Sequence, residues 1–98
     1  MHMSAASRGN RVIVSVLGQD RVGIIAGVSG ILAENNINIL DISQTTMQGI
    51  FTMILIADME QSRINLDTLQ EKMQELGKTL GLKIVVQHED VFRFMHRI

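Results

Sequence analysis

Hydrophobic and polar positions change period several times along the chain. In RVIVSVL, residues 11–17, Val12, Val14 and Val16 fall on one side of an extended chain and Ile13, Ser15 and Leu17 on the other. Both sides are largely apolar, which predicts a central strand. From Val22 to Asn35 the period becomes helical, with Ile24, Val28, Ile31 and Leu32 at i, i+4, i+7 and i+8. Gly27 and Gly30 lie inside this stripe. Each costs about 0.5–1 kcal/mol against Ala, so close packing of helix on sheet is expected there. Asn35-Asn36 suits the helix end, because Asn tolerates a left-handed cap.

Residues 37–47, INILDISQTTM, read as a second strand whose phase slips. Ile37 and Ile39 share a face, then Leu40 and Ile42 share the opposite one. A β-bulge near Ile39 to Asp41 accounts for the slip. After a short turn at Gln48-Gly49, residues 50–59 form a third strand, with Phe51, Met53 and Leu55 alternating with Ile50, Ile54 and Ile56. The clearest stripe is in residues 65–80, where Leu66, Leu69, Met73, Leu76 and Leu80 step by 3, 4, 3 and 4. Glu71, Lys72, Glu75 and Lys78 take the wet side. Asn65 is the expected N-cap and Gly81 the residue past the C-terminus. LKIVVQHE, residues 82–89, alternates again as a fourth strand.

The order is therefore β-α-β-β-α-β. Strand–helix–strand connections are right-handed in nearly all folds. Two of them interleaved predict an α+β, ferredoxin-like sandwich, a four-stranded antiparallel sheet with two helices on one face. Beyond it, Val91, Phe94, Met95 and Ile98 fall at i, i+3, i+4 and i+7. This predicts a short C-terminal helix over Asp90 to Ile98, its apolar side buried on the open sheet face or on a second chain.

Length and composition narrow the classes of partner. A chain of 98 residues suits one domain. Residues 1–10, MHMSAASRGN, are expected to be a disordered lead-in or cloning remnant, and residues 11–98 the domain. A domain of this size buries roughly 60–65% of its unfolded surface, so association with a second copy would add stability. Nine basic and ten acidic side chains leave a net charge of −1. That charge gives no reason to expect nucleic acid or an anionic membrane as partner. There is no cysteine, which excludes disulfides and thiolate metal sites. The apolar runs are far shorter than the ~18 residues of a membrane span, and the polar start is unlike a signal peptide. A cytoplasmic location is expected.

The candidate chemistry lies in GQDRVGII, residues 18–25, where the first strand hands over to the first helix. The first turn of a helix leaves backbone N–H groups without partners, and the helix dipole adds about half a positive charge there. A carboxylate or phosphate is favoured at such a place. Gly23 carries no side chain to block the approach. Asp20 is placed to cap the helix or to pair with a ligand ammonium. A zwitterion such as an amino acid fits this scheme, its carboxylate on the amides and its ammonium on carbonyls, Asp20 or the Asn38 side chain.

Val14 to Ile42 resembles the opening of an ACT domain. The shared pattern is an aliphatic strand, Gly18, Asp20-Arg21-x-Gly23-Ile24, a helix ending near Asn36, and Ile37-Asn38-Ile39 opening the next strand. The Gly49-x-Phe51 hairpin and the element order extend the likeness to residues 11–89. The whole chain is similar to small stand-alone ACT proteins of bacteria and archaea, and more distantly to the ACT-containing regulator of the glycine cleavage system. The resemblance implies a regulatory, non-catalytic homodimer that binds a small ligand, such as an amino acid, at a domain–domain interface. The matching positions are Gly18, Asp20, Arg21, Val22, Gly23 and Ile24, with Asn38 on the second strand. Many family members have Pro where this chain has Val22, which leaves φ unfixed at that point. With no catalytic or DNA-binding domain in the chain, a regulated protein would be met in trans.

Three rival readings remain open. Acylphosphatases share this plan and hold phosphate with a corner arginine, which Arg21 could imitate, with Asn38 or Asn36 as a water-orienting amide; against this, Asp20 would repel a phosphate and the third strand offers no amide. An RNA-binding sheet needs exposed aromatics, for which Phe51 is the one candidate. His88, Glu89, Asp90 and His96 are close in sequence but lack a tight metal-ligand spacing, and solvated side chains are the expectation. Arg93, His96 and Arg97 are expected on the polar side of the last helix. No resident metal and no organic cofactor are expected.

Overall fold

A computed structural model describes residues 10–91. In chain order the elements are β1 (Arg11–Gln19), α1 (Ile24–Glu34), β2 (Asn38–Met47), β3 (Ile50–Asp58), α2 (Leu66–Leu80) and β4 (Leu82–His88). The strands form one antiparallel sheet in the order β2-β3-β1-β4. Both helices cover one face, which gives the ferredoxin-like βαββαβ sandwich. β1 is central, as its two apolar sides require. Val12, Val14 and Val16 are buried beneath the helices, whereas Leu17, on the open face, is 50% exposed.

The stripe of α2 divides by depth. Leu69 and Met73 are fully buried, while Leu66, Leu76 and Leu80 pack at the margins of the core. Asn65 caps this helix by accepting a 2.8 Å hydrogen bond from the Thr68 amide. Gly81 closes it in the left-handed region at φ 70°, its amide donating to the Gly77 carbonyl.

α1 is shorter at its start than the Val22 to Asn35 pattern suggests. Gly23 stands at φ 97°, outside the helical region, so the helix begins at Ile24. Its other end is a Schellman closure. Asn36, at φ 60°, donates to Ala33 O at 3.2 Å, and the Ile37 amide donates to Leu32 O at 2.9 Å. The helical glycines need correction. A Cβ on Gly27 would lie 3.1 Å from the Leu76 side chain, so this position brings α1 close to α2 rather than to the sheet. A Cβ on Gly30 would meet nothing within 4 Å, and close packing does not explain it.

The phase slip in β2 is a bulge. Ile39 pairs with Ala57 and Asp41 with Ile56, leaving Leu40 as the extra residue. The Asp41 carboxylate accepts from the Ile42 amide at 2.8 Å beside it. Beyond the bulge Ile42, Gln44 and Thr46 lie opposite Leu55, Met53 and Phe51 and so face the helix side. The helices do not reach over this edge: every β2 residue except Ile39 is exposed. Gln48 and Gly49 turn the hairpin with φ values of 55° and 81°, the left-handed pair that a tight two-residue loop requires.

At the far end of the sheet Arg11 joins Glu89 through a 3.2 Å ion pair, and Glu89 is only 4% exposed. The helical conformation resumes at residues 89–91. The remainder of the expected C-terminal helix, including Arg93, Phe94, Met95, His96, Arg97 and Ile98, lies outside the described residues. Among those described, no helix is long and apolar enough to cross a membrane.

Candidate functional site at the first strand–helix corner

The corner is built from β1, α1 and the tip of the β2–β3 hairpin. The Asp20 amide donates to the Gly49 carbonyl at 3.0 Å, which ties the corner to the hairpin. The first bond of the α1 ladder runs from the Gly27 amide to Gly23 O at 2.9 Å. The amides of Ile24, Ile25 and Ala26 precede that ladder. No side chain caps them, because the N-cap position is Gly23. Asp20 therefore does not serve as the helix cap that the sequence offered. The first turn opens on a hollow of about 340 Å³, lined by Asp20, Arg21, Gly23, Ile24, Ile25, Ala26, Gln44, Thr46 and Phe51. Ile24 and Phe51 are buried at 2% and 5% exposure and form its floor. The amides and the Asp20 carboxylate thus put opposite electrostatic signs around one space.

Of the seven positions singled out from sequence, Asp20, Arg21, Gly23 and Ile24 line the hollow. Arg21 is already engaged: its Nη1 donates to the Leu80 carbonyl at 3.1 Å, at the C-terminal end of α2. There its charge meets the negative end of that helix. Val22 is 95% exposed and lies outside the lining. Gly18 serves the sheet instead. It pairs with Leu82, and a Cβ on it would come 2.5 Å from Leu82 Cδ2 and 3.3 Å from Leu82 Cα. Asn38 is at the opposite end of the sheet, paired with Asp58, whereas the corner lies beside the Gln19–Ile50 pair. Within one chain Asn38 cannot share a ligand with Asp20.

Gln44 and Thr46 were missed as lining residues. Their polarity carries no motif, and simple alternation from Ile37 sends Ser43, Thr45 and Met47 to the helix side instead. Counting the extra residue at Leu40 reverses that assignment, and this was the available signal.

The rival sites are differently arranged. The arginine and amide of an acylphosphatase-like site are not brought together, since Arg21 turns to Leu80 and Asn38 is remote. Asn36 is remote too, donating to Gln61 O at 3.0 Å beyond the other end of α1. Phe51 faces the helices and is buried, so it offers no stacking platform. Glu89 is not solvated but paired with Arg11. The Asp90 amide donates to His88 Nδ1 at 3.1 Å. His96 lies outside the described residues. Among the described residues no group of three or more His, Asp and Glu side chains is placed to hold a metal ion.

Fold and corner together define a structural class: small βαββαβ domains with an open first strand–helix corner. Residues 10–87 match the ACT domain, and the chain belongs to that family. It is 53% identical over 89 residues to a UPF0237 protein of Methanocaldococcus jannaschii, covering 91% of this chain and 99% of that one. Among solved structures, an ACT domain protein from Streptococcus pneumoniae superposes with a TM-score of 0.74 at 37% identity, covering 86% of this chain and 94% of that chain. A putative glycine cleavage system transcriptional repressor shares the fold, with a TM-score of 0.70 at 20% identity, covering 80% of this chain and 44% of that chain.

Proposed function

We propose that this protein is a non-catalytic, cytoplasmic sensor of a small molecule, an amino acid, that works as a homodimer and acts on a regulated protein in trans. The observation that carries this reading is the uncapped first turn of α1, opening on a hollow that also holds the Asp20 carboxylate. The ligand carboxylate sits on the amides of Ile24, Ile25 and Ala26, and its ammonium faces Asp20. Gly23 leaves the approach open, and Arg21 borders it. Val22 and Gly18 shape the corner without touching the ligand. Asn38 contributes only if a second chain brings it in. The edge strand β2 supports the dimer: it is ten residues long and almost wholly exposed, with Leu40 at 43% and Ile42 at 41%. Such an edge offers unpaired backbone groups to another strand.

The test is a thermal-shift screen of the twenty amino acids on the full chain. A true ligand at ~100 times its Kd adds about 2.7 kcal/mol of stability, a shift of roughly 10 °C or more for a domain this small. If none of the twenty moves the transition, the reading fails.

A further inference from the structure

The hollow has two unlike sides. One is the first turn of α1, where backbone amides and Asp20 suit the charged groups common to all amino acids. The other is β2, where Gln44 and Thr46 face inward because of the bulge at Leu40. Neither of these two side chains carries charge, and each can both donate and accept hydrogen bonds. Below them Phe51 and Ile24 give an apolar floor. For a ligand whose charged groups were held at the α1 turn, this floor and this wall are the lining that its side chain could meet.

We propose that Gln44 and Thr46 are the specificity-determining residues of the hollow, and that they select an amino acid with a neutral polar side chain, a hydroxyl or a carboxamide. This rests on the amino-acid reading of the same site. A carboxylate or ammonium side chain would find no opposite charge on the β2 wall. An aliphatic one would strip water from Gln44 and Thr46 and return no hydrogen bond. Each hydrogen bond of this kind discriminates by about 2- to 10-fold, and two acting together by more.

The experiment is calorimetric titration of the full chain with L-serine, L-threonine, L-asparagine and L-glutamine, against L-alanine, L-valine and L-leucine. The wild type is compared with Gln44→Leu and Thr46→Val. Both positions are exposed, and an unchanged melting temperature confirms that the variants fold. The expected result is that a hydroxyl or carboxamide ligand binds the wild type at least 10-fold more tightly than the aliphatic set. Gln44→Leu or Thr46→Val then erases that ratio, chiefly by weakening the polar ligand. Binding of aliphatic and polar amino acids with equal affinity overturns the proposal and leaves the amino-acid site standing. So does a ratio untouched by both variants. Absence of binding by all seven overturns the specificity assignment, and the screen of all twenty then decides whether the site itself stands.

Discussion

At the scale of single residues, the small residues of the corner have separate duties, and substitution distinguishes them. Gly18 is flat against Leu82, with no room for a methyl group unless the Leu82 side chain and backbone move. Gly18→Ala should therefore lower unfolding stability by about 1–3 kcal/mol in a urea titration, without changing ligand affinity measured on the folded protein. Ala26 is the reverse case. It is exposed in the first turn of α1 and lines the hollow. Ala26→Asp places a carboxylate at the positive end of the helix, where it is worth about 0.3–1 kcal/mol to the fold. It should raise or preserve the melting temperature while abolishing calorimetric binding of whichever amino acid the wild type takes. Unimpaired binding by that variant would mean the α1 amides are not the anion seat. From sequence the two glycines of GQDRVG, Gly18 and Gly23, look alike. GQDRVG shows where the chain bends, but the closeness of Leu82 to Gly18 depends on β4, more than sixty residues away.

At the scale of elements, periodicity was a good guide wherever one element decides its own form. The stripe of α2, its Asn65 cap and its Gly81 stop are local, and all three were legible. Asn65→Ala removes the acceptor for the Thr68 amide and should cost about 1 kcal/mol by chemical denaturation. A loss below a few tenths would show that water replaces the cap. The boundary of α1 was less legible, because Gly23 fits a helical pattern yet occupies a left-handed conformation. Gly27 was misread for a different reason: nothing in the α1 sequence says that Leu76 of α2 is its neighbour. The bulge was visible as a slip in phase, but its consequence for the site was not. Which side Gln44 and Thr46 face depends on counting Leu40 as unpaired all the way along the strand. Two of the nine residues that line the hollow were therefore encoded in an irregularity rather than in a motif.

At the scale of the whole molecule, the sheet leaves more apolar surface open, among the described residues, than its two helices cover. Part of this lies on the β2 edge, at Leu40 and Ile42, and part on the open face, at Leu17 and Ile54. A dimer formed through the β2 edge makes a clear demand. Ile42→Lys adds charge at an edge position that is already 41% exposed, so the monomer fold should survive. Sedimentation velocity should then show the variant shifted toward monomer, and circular dichroism should show it folded. A variant as dimeric as a dimeric wild type would move the contact to the open face, and a monomeric wild type would remove the dimer itself. The element order and the core could be derived from the periodicity of one chain, whereas periodicity says nothing about what covers these surfaces.

The strap between the Asp20 amide and the Gly49 carbonyl has a mechanical meaning as well. The hairpin supplies both Phe51 beneath the hollow and Gln44 and Thr46 beside it, so tilting the hairpin would resize the space as a jaw does. The outer tip of that jaw carries Met47 and Ile50, 66% and 53% exposed. If such a tilt followed the filling of the hollow, these two oily side chains on the outside would move with it.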